Sequence, residues 1–271
     1  MYKAVFIDMD GTLLQSDHSV SAANRHSIHQ LIDKGILVVP ISARPLHGML
    51  HLTEKIFPST TPIVSLNGGY IWHQGQIIFE AAVSLQQAAG IHEEVKKYPA
   101  SIMYYSRMQW FAMEETTLVK KEQRITPVKI TIQPFEKTIE CCEQQQAGVN
   151  KILIAADKNL ILDIEQQLNA LHGGELNIYK SQPRYLEVMH AQASKTNAIQ
   201  FLLKKYGIAP YEIMAIGDNY NDKGMIEFAH TGVAMGNAPD EIKAAADYIT
   251  DTNNNDGVAK ALHHFFSAVI V

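Results

Sequence analysis

Five short apolar runs set the rhythm of the chain: Ala4 to Ile7, Ile36 to Ile41, Ile63 to Leu66, Ile213 to Ile216 and Gly232 to Met235. None is long enough for a helix. Each is followed by Asp, Ser, Asn or Gly. That pattern predicts strands buried on both faces of a parallel sheet and ending in loops. Helical spacing separates them. Ala22 to Lys34 follows Ser21, a good N-cap. Lys195 to Tyr206 stops at Gly207, a common residue just past a helix end. Ala238-Pro239-Asp240-Glu241 opens a third helix, with Pro in its first turn. Alternating strand and helix predict an α/β fold with a Rossmann-like parallel core covered on both faces. Pro40 conflicts with this, because proline cannot donate to a sheet ladder; it fits only where the strand is ending.

From Ala82 to Met189 the pattern changes. Ser101 to Ser106 and Gln109 to Glu114 read as a hairpin around Arg107-Met108. Phe135 to Ala147 and Lys158 to Leu171 read as helices; Lys151 to Ala156, Glu175 to Lys180 and Tyr185 to Met189 read as strands. The organisation is therefore a discontinuous core, 1–81 and 190–271, with an α+β domain at 82–189 inserted into it.

Composition narrows the partners. The 271 residues are 46% hydrophobic and 19% charged, with a formal net charge of −5. Disorder is not expected, and a nucleic-acid binder would carry a basic excess. Basic residues are scattered, so an anionic membrane is not an expected partner. No run is long enough to span a bilayer, and the apolar tail at 268–271 has only four residues. The two cysteines, Cys141 and Cys142, are adjacent and read as reduced thiols. The expectation is a soluble cytoplasmic protein, a monomer or homodimer.

The chemistry sits after the apolar runs. Asp8-Met9-Asp10-Gly11-Thr12-Leu13-Leu14 places two carboxylates just beyond the first strand, where open α/β sheets bind ligands. One carboxylate can act as a nucleophile, splitting a hard displacement into two easier ones. The second can protonate the leaving oxygen and then activate water. If the electrophile is a phosphate, two anions face each other, and Mg²⁺ with oxygen ligands would relieve that. Gly217-Asp218-Asn219-Tyr220-Asn221-Asp222 puts further acids at a second strand end. Asp218 suits a metal; Asn221 and Asp222 could bind phosphate, hold the metal's waters or hold Lys195; a capped loop is the plainer alternative. Ser42-Ala43-Arg44 offers a hydroxyl and backbone amides at a strand-to-helix turn, a phosphate cradle. Lys195, in Ala193-Ser194-Lys195-Thr196, could neutralise a transferring phosphoryl group, although a lone helix lysine is more often solvated.

These four pieces in this order resemble the haloacid dehalogenase (HAD) superfamily of phosphatases, and most closely its Cof-type branch, whose large cap domain lies between the second and third motifs. Asn67-Gly68-Gly69, Gly232 to Ala238 and Asp256-Gly257-Val258-Ala259 look like further signatures of that branch. The resemblance implies a Mg²⁺-dependent phosphatase acting on a small phosphorylated metabolite. It makes Asp8 the nucleophile and a metal ligand, and Asp10 the acid/base with its carbonyl on the metal. Asp218 completes the metal ligands. Ser42, Ala43 and Arg44 with Asn221 bind phosphate, Lys195 steadies it, and Asp222 supports Lys195 or the metal's waters. Three positions depart from the common pattern: Ala43 and Thr196 stand where glycine is usual, and Pro40 lies in a strand. A phosphomutase of similar fold, or a signalling module that keeps an aspartyl-phosphate, are the competing readings. Within 82–189, Tyr104, Tyr105, Trp110 and Phe111 either stack on a flat ligand or pack internally. Arg107 and Arg184 could meet a second anion. His47 and His51, one turn apart without a third ligand, read as ordinary helix residues.

Overall fold

The computed structural model describes residues 2–125 and 128–267; the tail at 268–271 lies outside them. In chain order the elements begin with β1 (Ala4–Asp8), α1 (Ala22–Asp33), β2 (Leu37–Ile41), α2 (Leu46–Thr53), β3 (Ile63–Ser65), β4 (Tyr70–His73) and β5 (Gln76–Glu80). There follow α3 (Leu85–Val95), β6 (Ser101–Ser106), β7 (Gln109–Ala112), α4 (Thr117–Ile125), β8 (Thr131–Ile132), α5 (Phe135–Gln144), β9 (Lys151–Ala155), α6 (Lys158–His172), β10 (Leu176–Gln182) and β11 (Tyr185–His190). The chain ends with α7 (Lys195–Tyr206), β12 (Ile213–Gly217), α8 (Lys223–Phe228), β13 (Thr231–Ala234), α9 (Asp240–Ala244), β14 (Tyr248–Ile249) and α10 (Gly257–Phe266).

Two compact units result. One comprises Met1–Arg44, Met49–Phe79 and Ser194–Val271; the other comprises Pro45–Gly48 and Glu80–Ala193. The first unit holds an eight-stranded sheet in the order β14-β13-β12-β1-β2-β3-β4-β5. Strands from β14 to β3 run parallel, and β4 turns back antiparallel on β3. Every residue of β1 and β12 is buried, which explains why these strands are apolar throughout rather than alternating. Ser21 caps α1 by accepting from the Asn24 amide, and Gly207 ends α7 in the left-handed conformation at φ 66°. Pro239 sits one place before its helix, at the N-cap of α9.

Pro40 lies inside β2, paired with Ile7. The Leu37 amide donates to the Lys3 carbonyl, on the β1 side, and the Ser42 amide donates to Val64, on the β3 side. Amides alternate along a strand, so Pro40 faces β3 one rung before pairing with β3 begins at Ile41. Its missing donor falls where no ladder bond is made.

The second unit is α+β, with a six-stranded sheet ordered β10-β11-β9-β6-β7-β8. Its strands alternate between two clusters. Tyr104, Phe111, Ile152, Ile154, Leu186 and Val188 pack with α3, α5 and α6 on one face. Met103, Tyr105, Trp110, Leu153, Ala155 and Tyr185 pack with Val119 of α4 on the other. All four aromatics considered as ligand-stacking groups are thus buried in the unit's own packing; Tyr104 also bonds His92 Nδ1 at 2.8 Å. Arg107 is spent on structure: it pairs with Glu80 at 3.0 Å and donates to the Gln145 and Gln146 carbonyls. Cys141 and Cys142 are free thiols on α5. No described helix is long and apolar enough to cross a membrane.

Candidate active site

Parallel neighbours bring their carboxyl ends together. Asp8 ends β1, Asp218 follows β12 and Ser42 follows β2, with β1 between the other two. Lys195 is the first residue of α7, whose N-cap Ser194 accepts from the Asn197 amide. The result is a buried cluster. The Asp8, Asp218 and Asp222 carboxylates offer oxygens within 4.8 Å of one another. Lys195 Nζ lies between them and donates to Asp8 Oδ1 and Asp222 Oδ1. Lys195 and Asp8 are 2% and 4% exposed, so these charges face little water.

Three carboxylates crowd around one ammonium. Burial, then the Asp222 charge, pushes Asp8 well above the usual carboxylate range. The same two causes push Asp218 up to about 6. Burial alone would pull the Lys195 ammonium down, but the charges of Asp222 and Asp8 outweigh it and hold it above its ordinary value. Buried, crowded carboxylate oxygens are the donor set of a hard divalent cation, so the residues fit Mg²⁺.

The oxygens are not equally available. Asp222 Oδ1 is taken by Lys195, and its Oδ2 accepts from the Asp218 and Asn219 amides at 2.9 and 3.0 Å. Asp222 therefore braces the loop and the lysine. On Asp8, Lys195 engages Oδ1 alone. The Asp10 side chain stands apart from the cluster: it is 44% exposed and held by Arg44 through two bonds, 2.7 and 2.6 Å, with His18 at 4.0 Å. Arg44 thus grips Asp10. Ser42 is buried, and its Oγ accepts from the Arg44 amide at 3.1 Å. Ala43 is not among the positive-φ residues, so its Cβ brings no backbone strain. Asn221 Nδ2 donates to Asn67 Oδ1 at 2.9 Å.

Two glycines let the loops close. Gly11 has φ 82°, and a Cβ there would stand 2.3 Å from Asp218 Oδ2. At Gly217 a Cβ would meet that of Asp222 at 2.5 Å. Other contributors carry no signal beyond their motif. Thr12 Oγ1 donates to Asp218 Oδ1 at 2.9 Å. Asn237 Nδ2 donates to the Gly11 carbonyl at 2.8 Å. Asn253 Nδ2 donates to the Leu14 carbonyl at 2.8 Å, tying the loop after β1 to a distant turn. Asn237 lies in the Gly232 to Ala238 stretch; nothing in the sequence around Asn253 marks it.

Known proteins similar to this chain point to one family. The family of haloacid dehalogenase-like hydrolases matches residues 5–262. A Haemophilus influenzae protein assigned as a phosphatase is 36% identical over 269 residues, covering 98% of this chain and 99% of its own. The Bacillus subtilis 5-amino-6-(5-phospho-D-ribitylamino)uracil phosphatase YcsE is 31% identical over 263 residues, covering 97% and 95%. A crystal structure of a haloacid dehalogenase-like hydrolase from Bacteroides thetaiotaomicron superposes with a TM-score of 0.89 at 32% identity, covering 98% of this chain and 100% of that one.

Proposed function

The chain belongs to the haloacid dehalogenase-like hydrolases and is a phosphatase of that family; we propose that it hydrolyses a small phosphorylated metabolite through a phosphoryl group carried on Asp8, with Mg²⁺ as cofactor. The observation that carries this reading is the buried cluster, in which Lys195 holds one oxygen of Asp8 and leaves the other as a nucleophile. Asp8 attacks phosphorus, the bond from phosphorus to the ester oxygen breaks, and Asp10 supplies the proton that this oxygen takes. Asp10 then takes a proton from water as that water attacks the aspartyl-phosphate; the bond from phosphorus to the Asp8 oxygen breaks and inorganic phosphate leaves. When bound, Mg²⁺ offsets the charge of nucleophile and phosphate, held by Asp8, Asp218 and the Asp10 carbonyl. Ser42, with the amides of Ala43 and Arg44, and Asn221 hold the phosphate oxygens, and Lys195 neutralises charge as it develops. For Asp10 to act it must leave Arg44, so the pair is a resting contact.

The test is phosphate release with Mg²⁺ across hexose and pentose phosphates, nucleotides, FMN, pyridoxal phosphate and 5-amino-6-(5-phospho-D-ribitylamino)uracil. The last is included because of what its relative acts on. Release from one or a few, lost in Asp8→Asn, supports the reading and names the substrate class. Phosphate relocation without release would point to a mutase instead.

A further inference from the structure

A recess of about 340 Å³ opens on the second unit, walled by Thr117, Lys120, Lys121 and Arg124 of α4 together with Arg184 and Tyr185. The α4 positions are one helical face, at i, i+3, i+4 and i+7. Four of these residues are cations and none is a carboxylate. Elsewhere in this unit Lys96 pairs with Glu93, Lys97 with Glu94 and Lys137 with Glu140, each three residues apart. Among the described residues of the recess wall, Lys120 has a carboxylate partner, Glu115 at 3.1 Å. The contact made by Lys121 is with the face of Tyr185, 5.5 Å from the ring centre. Arg184 uses its Nε on the Ala156 carbonyl at 3.2 Å, which fixes the stem and leaves the end of the fork.

Tyr185 completes the wall with its ring and is 3% exposed. Its hydroxyl is turned into the protein, where burial, then the charge of Glu122 on α4 and a hydrogen bond with it, push the phenol up to about 12. A wall of four cations with no carboxylate among them is complementary to a compact anion carrying more than one charge. The size suits a small molecule rather than a polymer, and the whole chain's charge of −5 opposes nucleic acid.

We propose that this recess binds a phosphate group, with Lys121, Arg124 and Arg184 supplying charge. All of these residues belong to the second unit, and the proposal does not depend on the reaction assigned to the carboxylate cluster. The experiment is calorimetric titration of the full chain with inorganic phosphate in EDTA, where the negative carboxylate cluster repels anions. Saturable binding is expected, weakened at least about tenfold in Arg124→Gln/Arg184→Gln and several-fold in Lys121→Gln at unchanged melting temperature. Parallel titrations with glycerol phosphate and ribose 5-phosphate distinguish the source. Equal affinities identify the phosphate group itself as the ligand, and tighter ester binding identifies a phosphorylated metabolite. Absence of saturable binding, binding unchanged in the double variant, or equal loss in Lys204→Gln/Lys205→Gln on α7 would overturn the proposal.

Discussion

Lys195→Met leaves the packing volume of the site nearly intact and removes its one cation. Asp8 and Asp222 would then face each other, buried, with Asp218 close by. Removing one partner of a buried ion pair costs about 3–5 kcal/mol. At roughly 2–4 °C per kcal/mol for a protein of this size class, the melting temperature should fall by roughly 10 °C. The loss should depend on pH. Without the ammonium, burial and the facing Asp222 charge make Asp8 take up a proton more readily in the folded state than in the unfolded chain. A folded state that binds more protons loses stability as pH rises, so the deficit should be larger at pH 8 than at pH 5.5. Lys195→Met/Asp222→Asn should recover part of it by deleting one of the stranded charges. The assay is thermal unfolding by circular dichroism in EDTA at both pH values, with turnover measured alongside. A shift under about 2 °C with turnover retained would refute the ascribed role of Lys195.

Three further outcomes are expected. Gly11→Ala should reduce turnover at least about tenfold, because its Cβ would displace Asp218 and the residue would be strained at φ 82°; normal kinetics in that variant would show that the loop can yield. Mg²⁺ should raise the melting temperature and EDTA should abolish activity, since a cation that binds only the folded cluster stabilises by about 2.7 kcal/mol at a hundred times its Kd; Asp218→Asn should lose most of that gain. His47 is buried with neither ring nitrogen bonded, and burial lowers it to about 4. The unfolded chain then binds its proton from about pH 6.5 downward while the folded protein does not, so stability falls as pH drops from 6.5 towards 4. His47→Leu should flatten that slope in pH-dependent melts.

The parts of the fold that could be read from the sequence were those where one physical rule dominates. β1, β2 and β12 are apolar because both faces are buried, and their ends are marked by Asp8, Ser42 and Asp218. Ser21 and Gly207 act by local hydrogen bonding and backbone freedom, which are sequence-near effects. The hairpin of β4 and β5 was less visible, because most of its residues are only partly buried and its polar positions do not alternate cleanly. At the site, residue types at strand ends indicated which groups would meet, but not how each oxygen would be spent. The grip of Arg44 on Asp10, the double use of Asp222 by lysine and amides, and the bond from Asn253 to the Leu14 carbonyl all depend on long-range placement. Spacing in one sequence carries no record of those.

The central claim is that the phosphoryl group passes through Asp8. It is tested most directly by mixing the Mg²⁺-loaded enzyme with a phosphate-labelled substrate, quenching in acid within one turnover and locating the label by peptide mass spectrometry. The account predicts label on the peptide containing Asp8, none in Asp8→Asn, and accumulation in Asp10→Asn, where the second step lacks its base. Turnover without any label on the protein, or label on a different residue, would contradict it.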